Sequence, residues 1–228
     1  MGRWNIRWSI LLVLWCVTGV KLAAMKVESL DRGWFFNRGY ESQAADKVTV
    51  DLPHTWNAAD AMFGNVNYYR GMSTYSRFIV VPSSENFKRV FLRVKAAQTV
   101  ADVYLDNHFV AQHKGGYTSF TVELTHLIRK GEKHKLDIRV SNAQTMEIAP
   151  ICGDFNIWGG LNRGVELLYT DDACIDPTFY GSSGVFFTQC DVSEKYAGLE
   201  MKQHSDYNRN IYLDILEDTR QDKELESR

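Results

Sequence analysis

The chain lacks any excess of basic charge: 26 Lys and Arg residues stand against 28 Asp and Glu, a formal net charge of −2. A nucleic-acid partner would call for a basic patch to meet its phosphates, so that class is set aside. Cysteine is scarce, with four residues in 228. No C-x-x-C pair and no nearby pair of histidines is present, which excludes the usual zinc patterns. Long helical periodicity is missing after residue 30. The apolar run from Ser9 to Val20 is shorter than the about 20 residues that a membrane-spanning helix needs.

That run has another reading. Arg3 and Arg7 form a basic start, the run follows, and Ala23 and Ala24 offer small residues for cleavage. Residues 1–24 are therefore expected to be a signal peptide of a secreted or periplasmic protein. An uncleaved anchor is the competing reading. Cleavage removes Cys16 and leaves Cys152, Cys174 and Cys190. An odd count argues against a complete disulfide framework and predicts buried or half-buried free thiols.

What the sequence does contain is the short alternating run, the mark of a half-buried strand. Val90, Leu92 and Val94 share one face of Arg89–Val94. Ala101, Val103 and Leu105 point inward from Val100–Asp106, with Asp102, Tyr104 and Asp106 outward. Asp106-Asn107-His108 then reads as a hairpin turn, because Asp and Asn tolerate the left-handed conformation. Phe109–His113 returns. After Gly115-Gly116, Phe120, Val122 and Leu124 face inward, and one helical turn at Thr125–Lys130 stops at Gly131. Leu136, Ile138 and Val140 form another inward row, as do Val165, Leu167 and Tyr169. Many short strands with almost no helix predict an all-β sandwich or barrel over residues 25–173.

Asp176-Pro177 marks a boundary. Beyond it, Gly184–Cys190, Ala197–Gln203 and Asn210–Leu216 read as three more strands, followed by a charged tail. Residues 174–228 suit the beginning of an immunoglobulin-like sandwich, which needs about seven strands and about 100 residues. The second domain is thus expected to be incomplete.

Three segments carry a family resemblance. The first is Leu52-Pro53-His54-Thr55-Trp56-Asn57, with Asn67-Tyr68-Tyr69-Arg70-Gly71 after it. The second runs from Val103-Tyr104-Leu105-Asp106-Asn107 to Gly115-Gly116-Tyr117-Thr118-Ser119-Phe120. The third is Gly153-Asp154-Phe155-Asn156-Ile157-Trp158-Gly159-Gly160-Leu161-Asn162-Arg163-Gly164-Val165. In this order and spacing they resemble the N-terminal domain of family 2 glycoside hydrolases, the β-galactosidases, β-glucuronidases and β-mannosidases. The resemblance covers roughly residues 33 to 215. It implies a jelly-roll (galactose-binding-like) β-sandwich, then an immunoglobulin-like β-sandwich, with catalysis on a separate barrel. It also implies a carbohydrate partner, a β-galactoside by default with glucuronide and mannoside open, and leaves a homo-oligomer open for the full-length enzyme. Two departures stand out: Asp106-Asn107 replaces the family's Asn-Gly hairpin, and Gly164 replaces the Asp that usually follows the arginine.

By the same resemblance, Asp154 is the first candidate for sugar contact or for a bound cation. A carboxylate accepts two hydroxyl hydrogen bonds, and charge-assisted bonds are the stronger kind. Its rival role is to pair with Arg163 or cap a loop. Asn156 can donate and accept, and the Trp158 indole can stack on a pyranose face, although a core position is the weightier reading for Trp158. Arg163 is expected to anchor the loop through its planar fork. Gly115 and Gly116 are expected to serve positive-φ positions. His54, with no nucleophile pattern beside it, is expected to be structural. No cofactor and no metal are expected in this chain, while Na, Mg or Ca stays open for the full-length enzyme.

Catalytic residues are not expected here. Retaining glycosidases place two carboxylates about 5–5.5 Å apart, in this family on a barrel of about 250 residues. Only 55 residues follow Ala173. Three readings compete: the N-terminal part of a glycosidase, a stand-alone carbohydrate-binding module, and the inactive product of a truncated gene. The purified 228-residue chain is expected to hydrolyse neither aryl β-galactoside nor aryl β-glucuronide above blank, and measurable turnover overturns this.

Overall fold

The computed structural model describes residues 25–39, 48–60, 62, 69–84, 86–149, 156–190, 198–204 and 213–215. Among them are thirteen strands and no helix. They are β1 (Lys26–Ser29), β2 (Trp34–Arg38), β3 (Val48–Val50), β4 (Met72–Val80), β5 (Arg89–Val94), β6 (Val100–Leu105), β7 (His108–Lys114), β8 (Phe120–Glu123), β9 (Lys133–Ser141), β10 (Val165–Thr170), β11 (Val185–Cys190), β12 (Gly198–Gln203) and β13 (Leu213–Ile215).

Ten strands make two antiparallel layers. One has the order β3-β2-β4-β9-β6-β7 and the other β1-β10-β5-β8. From β4 onward the chain changes layer at every step except the β6–β7 hairpin, so the layers are woven together rather than built in turn. The inward rows meet between them. Trp34, Tyr75, Val103 and Ile138 from the six-stranded sheet pack in one core with Leu92, Val94, Val165 and Leu167 from the four-stranded sheet. The alternations expected in β5, β6 and β9 thus lie on the predicted faces, because period-two spacing puts every second side chain on one side of a pleated strand. The fold is the expected all-β sandwich.

The first four strands are less legible. β4 carries Ser73 and Arg77 on its inward face, Ser73 before Tyr75 and Arg77 between Tyr75 and Ile79. Arg77 fits there because its guanidinium donates to the main-chain oxygens of Leu30 and Arg32 and lies over the Trp34 ring. β10 is buried along its whole length. On its outward side Leu168 is sealed, and Glu166 binds Arg93 at 2.6 Å and also Lys95.

The β6–β7 hairpin turns at Asp106 (φ 49°) and Asn107 (φ 68°), both left-handed, as a two-residue turn of the type that matches strand twist requires. Asp106 also receives the His134 ring nitrogen Nδ1 at 2.6 Å and the Lys135 main-chain N–H at 2.7 Å. Partial burial acts to raise the Asp106 carboxyl, but those two bonds outweigh it and hold the group below its ordinary value. Its contribution to stability is therefore present above the ordinary carboxylate range and fades as pH falls through the lowered folded value. At the expected helical turn, Leu127 and Ile128 donate to Leu124 O, and Gly131 (φ 82°) ends the segment.

Beyond the sandwich, β11-β12-β13 form a third sheet. The connecting segment is tied at both ends. Arg89 donates to the Cys174 sulfur, Ser119 Oγ donates to Gly181 O at 2.8 Å, and the Phe179 ring stacks on His204 at 3.9 Å. Cys174 is half-buried as expected, whereas Cys190 is exposed, because β11 turns most of its side chains to solvent. Cys16 and Cys152, residues 1–24 and the charged tail lie outside the described residues.

A β-branched residue in the left-handed region costs about 1–2 kcal/mol. Asn107→Val is expected to lower unfolding free energy by about that amount in urea titration, with an unchanged m-value.

Candidate functional site

At one rim of the sandwich three irregular segments meet: residues 54–57, residues 96–98 with 115–118, and residues 156–164. Main-chain bonds align them. His54 N donates to Leu161 O at 2.9 Å, Trp56 N to Gly159 O at 3.1 Å, and Gln98 N to Gly160 O at 3.0 Å.

Two buried amides fix the last segment. Asn57 Oδ1 accepts from Gly159 N at 2.9 Å, and its Nδ2 donates to Ile157 O at 2.9 Å and to Asn156 Oδ1 at 2.8 Å. Asn156 Nδ2 returns a bond to Asn57 O at 2.8 Å. Asn142 Nδ2 donates to the same Ile157 carbonyl at 2.8 Å and to Tyr69 O at 2.9 Å. A side chain that serves backbone groups in this way replaces the strand ladder that a loop lacks.

Gly159 and Gly160 are needed for space. A Cβ at Gly159 would lie 2.1 Å from Trp56 Cζ2, and one at Gly160 (φ 139°) would lie 2.3 Å from His54 O. Gly115 (φ 133°) meets the expectation of positive φ, and Gly116 does not. At Gly116 a Cβ would lie 2.8 Å from the Gln98 side chain, so any larger residue there displaces that amide. Gly164 also has a steric cause. A Cβ there would lie 2.7 Å from the Asp31 carboxylate, which accepts the Val165 N–H at 2.9 Å.

His54 packs on Phe36 with Nδ1 2.7 Å from the Tyr75 hydroxyl. Burial lowers the His54 pKa and raises that of Tyr75, so near neutral pH the imidazole is held uncharged and the phenol protonated. His54 is a packing residue, as expected.

Over these supports lies a groove of about 370 Å³, lined by Gln98, Tyr117, Asn156, Trp158, Asn162 and Arg163 among others. Trp158 is 57% exposed and Tyr117 68%. The expectation of a core tryptophan is therefore wrong, and the indole is free to meet a ligand. A polar chain runs along the floor. Thr55 Oγ1 donates to Asn162 Oδ1 at 3.2 Å, Asn162 Nδ2 to Gln98 Oε1 at 3.2 Å, and Gln98 Nε2 to the Tyr117 hydroxyl at 3.1 Å. Arg163 is exposed at the groove and makes no hydrogen bond to another described residue. Asp154 lies outside the described residues. Gln98, Tyr117 and Asn162 were not singled out as ligand contacts from sequence. The only available signal was the recurrence of amides and an aromatic within the motif segments.

Exposed aromatic faces beside oriented amides suit a pyranose, whose C–H face stacks while its hydroxyls exchange hydrogen bonds. No acid–nucleophile carboxylate pair lines the groove among the described residues. The family model described as "Glycosyl hydrolases family 2, sugar binding domain" matches residues 27–171. The chain belongs to glycosyl hydrolase family 2. Within that family it is 40% identical over 168 residues to a β-glucuronidase of Bacteroides fragilis, a match covering 74% of this chain and 24% of the relative. It is 29% identical over 134 residues to a β-galactosidase of Thermoanaerobacter pseudethanolicus, covering 58% of the chain and 18% of the relative. The crystal structure of a Bacteroides uniformis β-glucuronidase superposes with a TM-score of 0.72 at 31% identity, over 80% of this chain and 22% of that one. The chain thus spans about a quarter of the length of these relatives. Residues 185–228 match a second family model, "Domain of unknown function (DUF5113)".

Asn57→Ala removes three bonds and leaves the buried Gly159 N–H of the family 2 rim without its acceptor, while Ile157 O keeps its bond from Asn142. A loss of about 2–3 kcal/mol is expected, read by urea unfolding, together with faster proteolysis within residues 150–160.

Proposed function

We propose that this chain is the N-terminal, sugar-holding portion of a secreted family 2 β-glycosidase, with residues 1–24 as its cleaved signal peptide. The groove at the rim holds part of the glycan while hydrolysis takes place on another part of the enzyme. The substrate class is a β-glycoside, and the relatives favour a β-glucuronide over the β-galactoside expected by default. The relative with 40% identity is a β-glucuronidase, and a 31% identical Bacteroides uniformis β-glucuronidase carries a covalently bound cyclophellitol-6-carboxylate aziridine. Asn156 then acts mainly by pinning the segment through Asn57, Trp158 by stacking on the sugar, and Asp154 by contacting the sugar or a cation from the same segment. Gly115 and Gly116 shape the facing turn.

The observation that carries this reading is the exposure of Trp158 beside the Thr55–Asn162–Gln98–Tyr117 hydrogen-bond chain. A large aromatic left open beside oriented amides in a groove suits a binding surface. Titrating the chain with methyl β-glucuronide and methyl β-galactoside is expected to quench tryptophan fluorescence saturably at millimolar concentrations. Trp158→Ala is expected to abolish that response while thermal unfolding stays unchanged. A response that survives the substitution places the sugar elsewhere.

A further inference from the structure

Tyr180 stands where the fold gives no reason for it. Ser182 N donates to Phe179 O at 2.9 Å, and the two residues between them, Tyr180 (φ 48°) and Gly181 (φ 65°), are both left-handed. Such a turn favours Asn, Asp or Gly at its first central position. The β6–β7 hairpin obeys that rule with Asp106 and Asn107. Here a bulky aromatic residue takes the position, where its side chain crowds the backbone. Burial does not offset the strain, because Tyr180 is 89% exposed. Its ring meets the Phe179 ring edge-on at 4.9 Å and is otherwise open to solvent.

The turn is nevertheless held in one place. Phe179 stacks on His204 at 3.9 Å and lies edge-on to Phe186 at 5.8 Å. Gly181 sits so close to residue 119 that a Cβ there would lie 2.0 Å from Ser119 O, and Ser119 Oγ donates to Gly181 O at 2.8 Å. Ser119 is two residues from Tyr117, a stretch that spans at most about 7 Å. Tyr117 lines the groove and is 68% exposed. The segment after β10 therefore fastens Tyr180 beside the Tyr117 side of the groove. Strained residues persist where their surroundings fix them, and they gather at binding sites.

We propose that Tyr180 is an outlying stacking platform for a glycan chain, so that this domain recognises an oligosaccharide rather than a single glycoside. The inference rests on the reading of the groove as a sugar site and adds the length of the ligand. A sugar seated on Trp158 leaves Tyr180 unused, and a chain of sugars that runs out past Tyr117 reaches it. The phenol ring offers an apolar face to a pyranose C–H face and a hydroxyl to its neighbours. That contact is indifferent to the charge of the sugar. The strained turn sets the platform in advance, which limits the freedom lost on binding.

The test uses the whole 228-residue chain with 15N-labelled tryptophan, the Trp158 indole signal being assigned by Trp158→Phe. Two series are titrated. One is methyl β-D-glucuronide with hyaluronan di- and tetrasaccharides ending in β-glucuronate, and the other is methyl β-D-galactoside with β-1,4-galactobiose and β-1,4-galactotriose. In the series that moves the Trp158 signal, the longest member is expected to bind on the order of tenfold more tightly than the monosaccharide, as one added aromatic contact would give. Tyr180→Gly removes the ring and suits the left-handed turn, so thermal unfolding is expected to stay unchanged or rise. In that variant the longest member is expected to fall to the affinity of the monosaccharide, whose own binding is unaltered. Tyr180→Phe is expected to keep the gain, since the stacking face remains. Equal binding of all lengths by the unaltered chain overturns the platform and leaves the groove standing; it is the result expected if another polypeptide covers Tyr180. A Tyr180→Gly variant that keeps the full gain also overturns it. If no sugar moves the Trp158 signal, the reading of the groove as a sugar site falls and the platform falls with it.

Discussion

The rim of this sandwich depends on two buried amides. Residues 156–164 have no strand ladder, yet their backbone groups are closed off from water and need partners. Asn57, 1% exposed, and Asn142, 0% exposed, provide those partners from two different parts of the chain. Asn142 follows directly on β9, one of the two central strands of the six-stranded sheet, so the carbonyl of Ile157 is referred to the middle of that sheet. Asn57 in turn joins the segment to the 54–57 stretch that lies beside it. With Ile157 held from two sides, the neighbouring Trp158 is left outside, and its exposure follows from where its neighbour is fastened.

The sequence was informative wherever burial followed a simple period. β5, β6, β8 and β9 show every second residue apolar, and those residues are the ones in the core. The hairpin at Asp106-Asn107 was legible because few residues accept two successive positive φ values. β4 was obscured by Arg77, whose long side chain passes inward to meet main-chain oxygens and breaks the apolar alternation. The outward side of β10 was obscured for a similar reason, since Glu166 is buried there only through its two cations.

The site was legible as a place and not as a set of roles. The motif segments pointed to the right rim, because tight glycines and amides cluster where backbone must approach backbone. They could not separate the residue that binds from the residue that supports. Asn156 looks like a hydroxyl-recognising amide, yet it is engaged face to face with Asn57. Trp158 looks like core by composition, and its exposure is a property of the fold around it. Gly116 looks like a conformational glycine, and its cause is the Gln98 side chain pressed against it. In each case the deciding contact is a partner distant in sequence.

The fit of Gly159 on the face of Trp56 leaves no room for a single methyl group between the rim and the core. A wall seated that closely cannot rearrange around a guest. If the groove holds a sugar as proposed, it acts as a mould rather than a glove, with little conformational freedom left to be lost on binding.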